Sequence, residues 1–351
     1  MQKFNICKTK NLLSAFCLLF TLISYPFHTK ASTAGWSLDK DIKGSLNIDG
    51  VKQLKKLKKV VVAVIDTGID PLHPNLKHKI VSYDNDNGNF TPATIYDFGR
   101  DFSPGSLSFK RPHDENGHGT HIASIITKVA PNAKILPIKY YNKDATEKEN
   151  LNATIDAIKY AINAGVKIIN YSSGGSGKSA IESEVIDFAN KNGVLLIAAA
   201  GNFGENIDHK GLKYYPASYG HKNIISVINH GPNYILHKTS NYGKLNADLS
   251  APGTNILGAI PNQRFGSLTG TSQSTAFVSA TAVLIRGINK NINHLKIKEF
   301  IIKSADKVDS LKNKCLSSGA LNLSRSLKFA ESYAQRNYAS TSASGNIKNS
   351  L

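Results

Sequence analysis

Between Val60 and Leu284 the chain alternates two kinds of apolar pattern. Continuous apolar runs predict strands buried on both faces. Runs with apolar residues every three or four positions predict helices with one buried face. Val60 to Ile65 is a β-branched run and predicts a strand. Gly119 to Lys128 predicts a helix, and Lys134 to Tyr140 a strand. Asn150 to Ala164 places Leu151, Ile155, Ile158 and Ile162 on one helical face, and Gly165 stops it. Val166 to Tyr171 predicts a strand, Ala180 to Asn192 a helix closed by Gly193, and Val194 to Ala199 another strand. Repeated β-α-β units predict an α/β fold with a mainly parallel central sheet and helices on both faces, three layers in all. Tyr214 to Phe265 reads as shorter strands and turns. Thr271 to Arg286, rich in small apolar residues, predicts a buried helix. Two more helices are expected near Leu295 to Lys303 and Leu321 to Tyr333.

No repeat or linker splits this pattern, so one domain is expected over residues 35–333. Residues 334–351 are rich in Ser, Asn and Ala and are expected to be a disordered tail. The N-terminus has the layout of a secretory signal peptide, residues 1–31. Lys3, Lys8 and Lys10 precede a mostly apolar stretch from Leu12 to Phe27, and small residues follow, with cleavage after Ala31 or Ala34. A membrane anchor fits less well, because the apolar run falls short of the ~20 residues a spanning helix needs. A lipid anchor at Cys17 meets bulky Phe16 where a small residue belongs. The protein is therefore expected to be secreted or periplasmic, with no stable membrane anchor.

Loss of Lys3, Lys8, Lys10 and Lys30 with the signal would take the formal charge from +18 to about +14. The run of Lys52, Lys55, Lys56, Lys58 and Lys59 reads as a solvated segment. No basic-aromatic motif points to nucleic acid, which is excluded as a partner. Cys7 and Cys17 leave with the signal and Cys315 remains alone, so no internal disulfide is available. Cys315 reads as a small buried hydrophobe.

Four local patterns carry candidate chemistry. Asp66 ends a buried strand, where parallel sheets build their sites, though an Asx turn would place an Asp there too. His118 stands between Gly117 and Gly119 at a helix start, open to close approach by another segment. Its spacing to His121 could also suit a metal, but no H-E-x-x-H pattern accompanies it. Ser272 follows Gly270-Thr271 and opens an apolar helix, whose N-terminus favours developing negative charge; a plain N-cap serine would look the same. Asn202 follows Ala198-Ala199-Ala200-Gly201 at a strand end and could donate to an oxyanion.

Taken together, Asp, then His, then Ser, each at a strand end or helix start, is the subtilisin order. The chain resembles the subtilase family. Asp66 to Asp70 with His73 to Leu76 resembles the Asp motif, Asn116 to Ser124 the His motif, and Gly270 to Ala280 the Ser motif. Ile197 to Asn202 resembles the oxyanion strand. Further matches are Gly35 to Asp39, Ile169 to Gly175, Tyr215 to Tyr219, Leu249 to Gly253 and Gly319 to Leu327. The resemblance implies a subtilisin-like fold and a serine endopeptidase with Asp66, His118 and Ser272 as its triad. It implies Asn202 and the Ser272 amide as the oxyanion hole. Ser172, Ser173, Gly174 and Gly175 would pair with a peptide substrate as an added strand, and Ala199, Ala200, Gly201 and Asn202 would form a second cleft wall. Phe203 hints at an apolar specificity pocket. Tyr215-Pro216 matches a position where the family carries a cis proline.

Several departures qualify these expectations. Where the family usually has Met-Ala-Ser-Pro-His after the serine, this chain has Gln273, Ser274, Thr275, Ala276 and Phe277. Asp84, Asn85, Asp86, Asn87 and Gly88 could wrap calcium, but a polar loop explains them as well. The usual strong calcium loop is missing, which leaves Asp70 without its partners there. No cofactor is therefore expected to be required; calcium stays open as a possible ligand of the Asp84 to Gly88 stretch, without being needed. No folding prodomain separates the signal from Asp66, so either the domain folds unaided or a separate folding or maturation helper assists it. Two alternative functions stay open: a catalytically silent, subtilase-like peptide-binding protein, and a metal-dependent hydrolase using His118 and His121.

Overall fold

The β-branched run at Val60 forms the strand it predicts, and the rest of the sheet is laid down around it. The computed structural model describes residues 35–46, 48, 51, 57–84 and 86–347. The expected signal peptide lies outside the described residues, as do Lys52, Lys55, Lys56 and Asn85. The elements run β1 (Val60–Asp66), β2 (Val81–Asp84), β3 (Asn89–Pro92), β4 (Arg100–Asp101), α1 (His118–Val129), β5 (Ala133–Lys139), α2 (Glu147–Asn163), β6 (Ile168–Tyr171), α3 (Ala180–Lys191) and β7 (Leu195–Ala199). They continue with β8 (Ile224–His230), β9 (Leu249–Pro252), β10 (Ile256–Ile260), β11 (Arg264–Leu268), α4 (Thr271–Ile288), α5 (His294–Lys303), β12 (Asp306–Lys307), β13 (Gly319–Ala320) and α6 (Leu323–Ile347).

Nine strands form the main sheet in the order β12-β13-β9-β8-β7-β6-β1-β5-β4, parallel except for the terminal β12-β13 pair. Strand alternation divides the core in two. Val62 and Val64 face one side with α1, α4, α5 and α6. Ala63 and Ile65 face the other with α2 and α3. The expected three-layer α/β architecture is therefore present. A strand with helices on both faces has no polar side to show, which is why β1 reads as unbroken apolar sequence. Among the described residues no helix is long and apolar enough to cross a membrane.

The structure differs from the sequence reading in three places. The region from Tyr214 to Phe265 is not short-stranded throughout, for it contains β8, seven residues long and wholly buried. Its Ser226, Asn229 and His230 are buried polar residues that interrupt the apolar signal. Helix α2 begins at Glu147 because Thr146 and Glu149 form a reciprocal capping box. Helix α6 does not stop at Tyr333. It runs on to Ile347.

Candidate active site

Strand order decides where a site can form. β5 lies on one side of β1 and β6 on the other, and the chain leaves β1 and β6 in opposite directions. Such a switch point opens a crevice beyond the carboxyl ends of the two strands. Asp66 is the last residue of β1, and Ser172 directly follows β6.

Helix α1 brings His118 to this crevice. Its Nδ1 lies 2.7 Å from Asp66 Oδ1, with both side chains buried. The amide of Thr67 donates to the same oxygen at 2.8 Å. A side chain at Gly119 would place its Cβ 2.1 Å from the Gly68 carbonyl oxygen, so only glycine lets α1 come this close. A buried carboxylate absent from the sequence argument, Asp114, locks the two segments together. It accepts from Thr67 Oγ1 at 2.8 Å, from Gly117 N at 2.7 Å, and from Thr120 N and Oγ1 at 2.9 and 2.6 Å. Its one sequence signal is its place four residues before His118.

Ser272 is the second residue of α4. Its Oγ donates to the Ser172 carbonyl at 2.9 Å, and Ser172 Oγ donates to the Ser272 carbonyl at 3.1 Å. Ser172 Oγ in turn accepts from Asn170 Nδ2 at 2.8 Å, and Asn170 Oδ1 accepts from Ser279 Oγ at 2.8 Å. A polar chain thus runs from inside α4 to its N-terminal end. The Ser272 amide lies in the first helical turn, where amides have no intrahelical acceptor. Asn202 Oδ1 accepts from Thr271 N at 2.9 Å and from Thr271 Oγ1 at 3.1 Å. Asn202 is exposed at the cleft.

Asp66, His118, Ser272, Asn202, Ser173 and Gly174 all border one cleft of about 400 Å³. Ser172 borders it as well. Gly175 does not: its N and O are bonded to Tyr215 at 2.8 and 2.7 Å, so its backbone is not available to an added strand. Ala200 and Gly201 also lie behind the wall. Ala200 N is taken by Val227 O and Gly201 N by Thr271 Oγ1, and Ala199 borders the cleft in their place. Asn241, which no pattern singled out, holds this wall: Nδ2 donates to Ala200 O at 2.8 Å, and Oδ1 accepts from Phe203 N and Glu205 N at 2.9 and 3.0 Å. Phe203 is exposed beside Tyr214 at the cleft. The Tyr215-Pro216 bond is cis.

Electrostatics separate the two histidines of the motif. Burial works to lower the His118 pKa, but the charge and hydrogen bond of Asp66, with help from Asp114, leave it above the ordinary imidazole value. His121 is pushed down to about 4 by burial and by His118. Its Nε2 faces the carbonyls of Ile256 at 3.0 Å and Gly266 at 3.2 Å, so that nitrogen carries a proton and is committed to the backbone. Among the described residues no three His, Cys, Asp or Glu side chains are grouped to hold a metal ion. The carboxylate of Asp84 serves its own turn through Asp86 N and Asn87 Nδ2. That of Asp70 accepts from Leu72 N and Asn262 N. Cys315 is buried, and burial raises its thiol pKa.

A sequence description of the subtilase family matches residues 57–326. The major intracellular serine protease of Bacillus subtilis is 34% identical over 271 residues, which are 72% of this chain and 78% of that protein. Thermitase of Thermoactinomyces vulgaris is 31% identical over 258 residues, 70% of this chain and 81% of that one. A solved chain of the subtilase cytotoxin SubAB superposes with a TM-score of 0.68 at 24% identity, covering 85% of this chain and 97% of its own, and is similar in fold.

Proposed function

The chain belongs to the subtilase family and is a serine-type endopeptidase, and from that premise we propose that it cuts peptide bonds through Ser272, His118 and Asp66 by way of an acyl-enzyme. The observation that carries this reading is the 2.7 Å contact of His118 Nδ1 with Asp66 Oδ1, in a cleft that Ser272 also borders.

In the resting protein the Ser272 proton points at the Ser172 carbonyl. Attack requires that hydroxyl to turn toward the imidazole, a tightening that often awaits substrate. His118 then takes the proton as Oγ bonds to the peptide carbonyl carbon. Asp66 holds the ring with Nδ1 protonated and stabilises the imidazolium. The new oxyanion is met by the Ser272 amide and by Asn202 Nδ2, aided by the N-terminus of α4. His118 returns the proton to the leaving amine, and water reverses the sequence to release the acid. The reading invokes no cofactor. The substrate is an extended protein or peptide chain, laid against Ser173 and Gly174. Export follows from the N-terminal pattern, and a helper for folding or maturation stays compatible with it.

The resting bond from Ser272 Oγ to Ser172 favours a second reading, a protein that binds peptides without cutting them. One experiment separates the two. A fluorophosphonate probe should label the mature protein and leave Ser272→Ala unlabelled. A well-folded protein that neither labels nor cleaves an unfolded substrate would leave only the binding role.

A further inference from the structure

Beside the reactive cleft lies a second cavity of about 320 Å³. The two share Tyr140, Tyr141, Ser173 and Gly174, so a chain lying in the first passes the mouth of the second. The second cavity contains a group that the proposed chemistry does not use. Glu182, in the first turn of α3, is 3% exposed and borders it.

Among the described residues this carboxyl has no counterion. Oε2 lies 2.6 Å from the Tyr219 hydroxyl, and no other hydrogen bond or ion pair reaches the carboxyl among the described residues. A carboxylate offers about four acceptor positions. A buried one with a single neutral partner is costly, and such groups in clefts concentrate at functional sites. Burial accordingly holds Glu182 above the usual carboxyl range, against the pull of the Tyr219 hydrogen bond. Tyr140, Tyr171 and Tyr215 also border the cavity, and aromatic faces attract a cation by a further ~0.5–2 kcal/mol. The other charges bordering it, Lys143, Glu147 and Lys148, are all exposed, and Lys143 is paired with Asp144 at 2.7 Å. A long cationic side chain entering from the cleft would pass this mixed rim and meet the buried acid.

We propose that this cavity receives a lysine or arginine side chain of the bound peptide, at a residue removed from the bond being cut, with Glu182 as its counterion. The proposal rests on the reading that the cleft binds peptides.

The test uses the full chain as Ser272→Ala, so that binding is read without turnover. Fluorescent alanine-rich octapeptides carry one lysine, norleucine or glutamate, moved through each position, and affinity is read by anisotropy. At one position lysine should bind at least about tenfold more tightly than norleucine, with glutamate weaker still. Glu182→Gln and Glu182→Leu in the same background should both erase that preference. Tyr219→Phe, which keeps the carboxyl, should retain it. The proposal is overturned if no position favours lysine, or if the preference survives in a folded Glu182 variant. Failure of the hydrolytic reading would appear separately, as absent fluorophosphonate labelling of the native serine, and leaves this binding measurement intact.

Discussion

Ser172 and Ser272 are bonded to each other twice, each hydroxyl donating to the other's carbonyl at 2.9 and 3.1 Å. Strand β6 and helix α4 are therefore joined at the atoms where chemistry is proposed.

Ser172→Ala would remove one of the two bonds and leave Asn170 Nδ2 without its acceptor. A buried donor left unpaired costs about 1–3 kcal/mol. The main-chain acceptor of Ser272 Oγ is kept. We expect a lower urea midpoint and slower, but not abolished, fluorophosphonate labelling. Unchanged stability would mean that the polar chain through Asn170 contributes nothing.

Gln273 is fully buried, and neither of its amide atoms has a hydrogen-bond partner among the described residues. Methionine is similar in length and asks for no partner. Gln273→Met should stabilise by about 1–3 kcal/mol, seen as a higher urea midpoint at unchanged slope. A loss of stability would point to a partner for the amide, such as a buried water.

On the proposed mechanism, labelling of Ser272 needs neutral His118. Its rate should therefore rise with pH through a midpoint above the ordinary imidazole value of 6.5. Asp66→Asn removes the charge that raises that value, so the midpoint should fall, and the rate should drop by about 10⁴-fold. The stability linkage has a definite sign. A raised folded pKa gives stabilisation that is full below 6.5 and is lost as pH climbs through the folded value. Asp66→Asn should flatten that decline in urea midpoints measured from pH 6 to 9.

His121 and His230 behave in the opposite sense. Burial, with His118 adding to it at His121, lowers both to about 4. Between 6.5 and about 4 the unfolded chain binds protons that the folded protein refuses, so stability should fall as pH drops through that window. His118 adds no slope there, being protonated in both states. Replacing His230 by Gln should reduce the acid-side slope in urea midpoints taken at pH 7, 5.5 and 4.5. An unchanged slope would place the titration elsewhere.

The parts of this protein legible in sequence are those whose signal is local. Val60 to Ile65 announces a two-sided strand, and Asp66, His118, Ser272 and Asn202 each stand beside their own punctuating glycines or strand end. The structure brings all four to one cleft. Hidden parts depend on partners far along the chain. Asn241 holds the wall at Ala200, 41 residues away, and nothing in its own neighbourhood marks it. Glu182 looks like an ordinary first-turn acid of α3 until the fold buries it. The β2-β3 hairpin gives little local signal because each strand has only four residues and β3 is mostly exposed. Asp114 sits two residues before the His motif, and its role depends on Thr67, 47 positions earlier.

The spacing of the three proposed catalytic side chains sets an order of assembly. Asp66 and His118 belong to one β-α-β unit that ends at Lys139, whereas Ser272 rides on a helix encoded far downstream. Domains begin to fold while their chains are still emerging, and local contacts form first. A growing chain can thus pair its acid and base long before it possesses a nucleophile. On the proposed reading, cutting power arrives only with the insertion of α4, after the strands from β1 to β11 have been encoded.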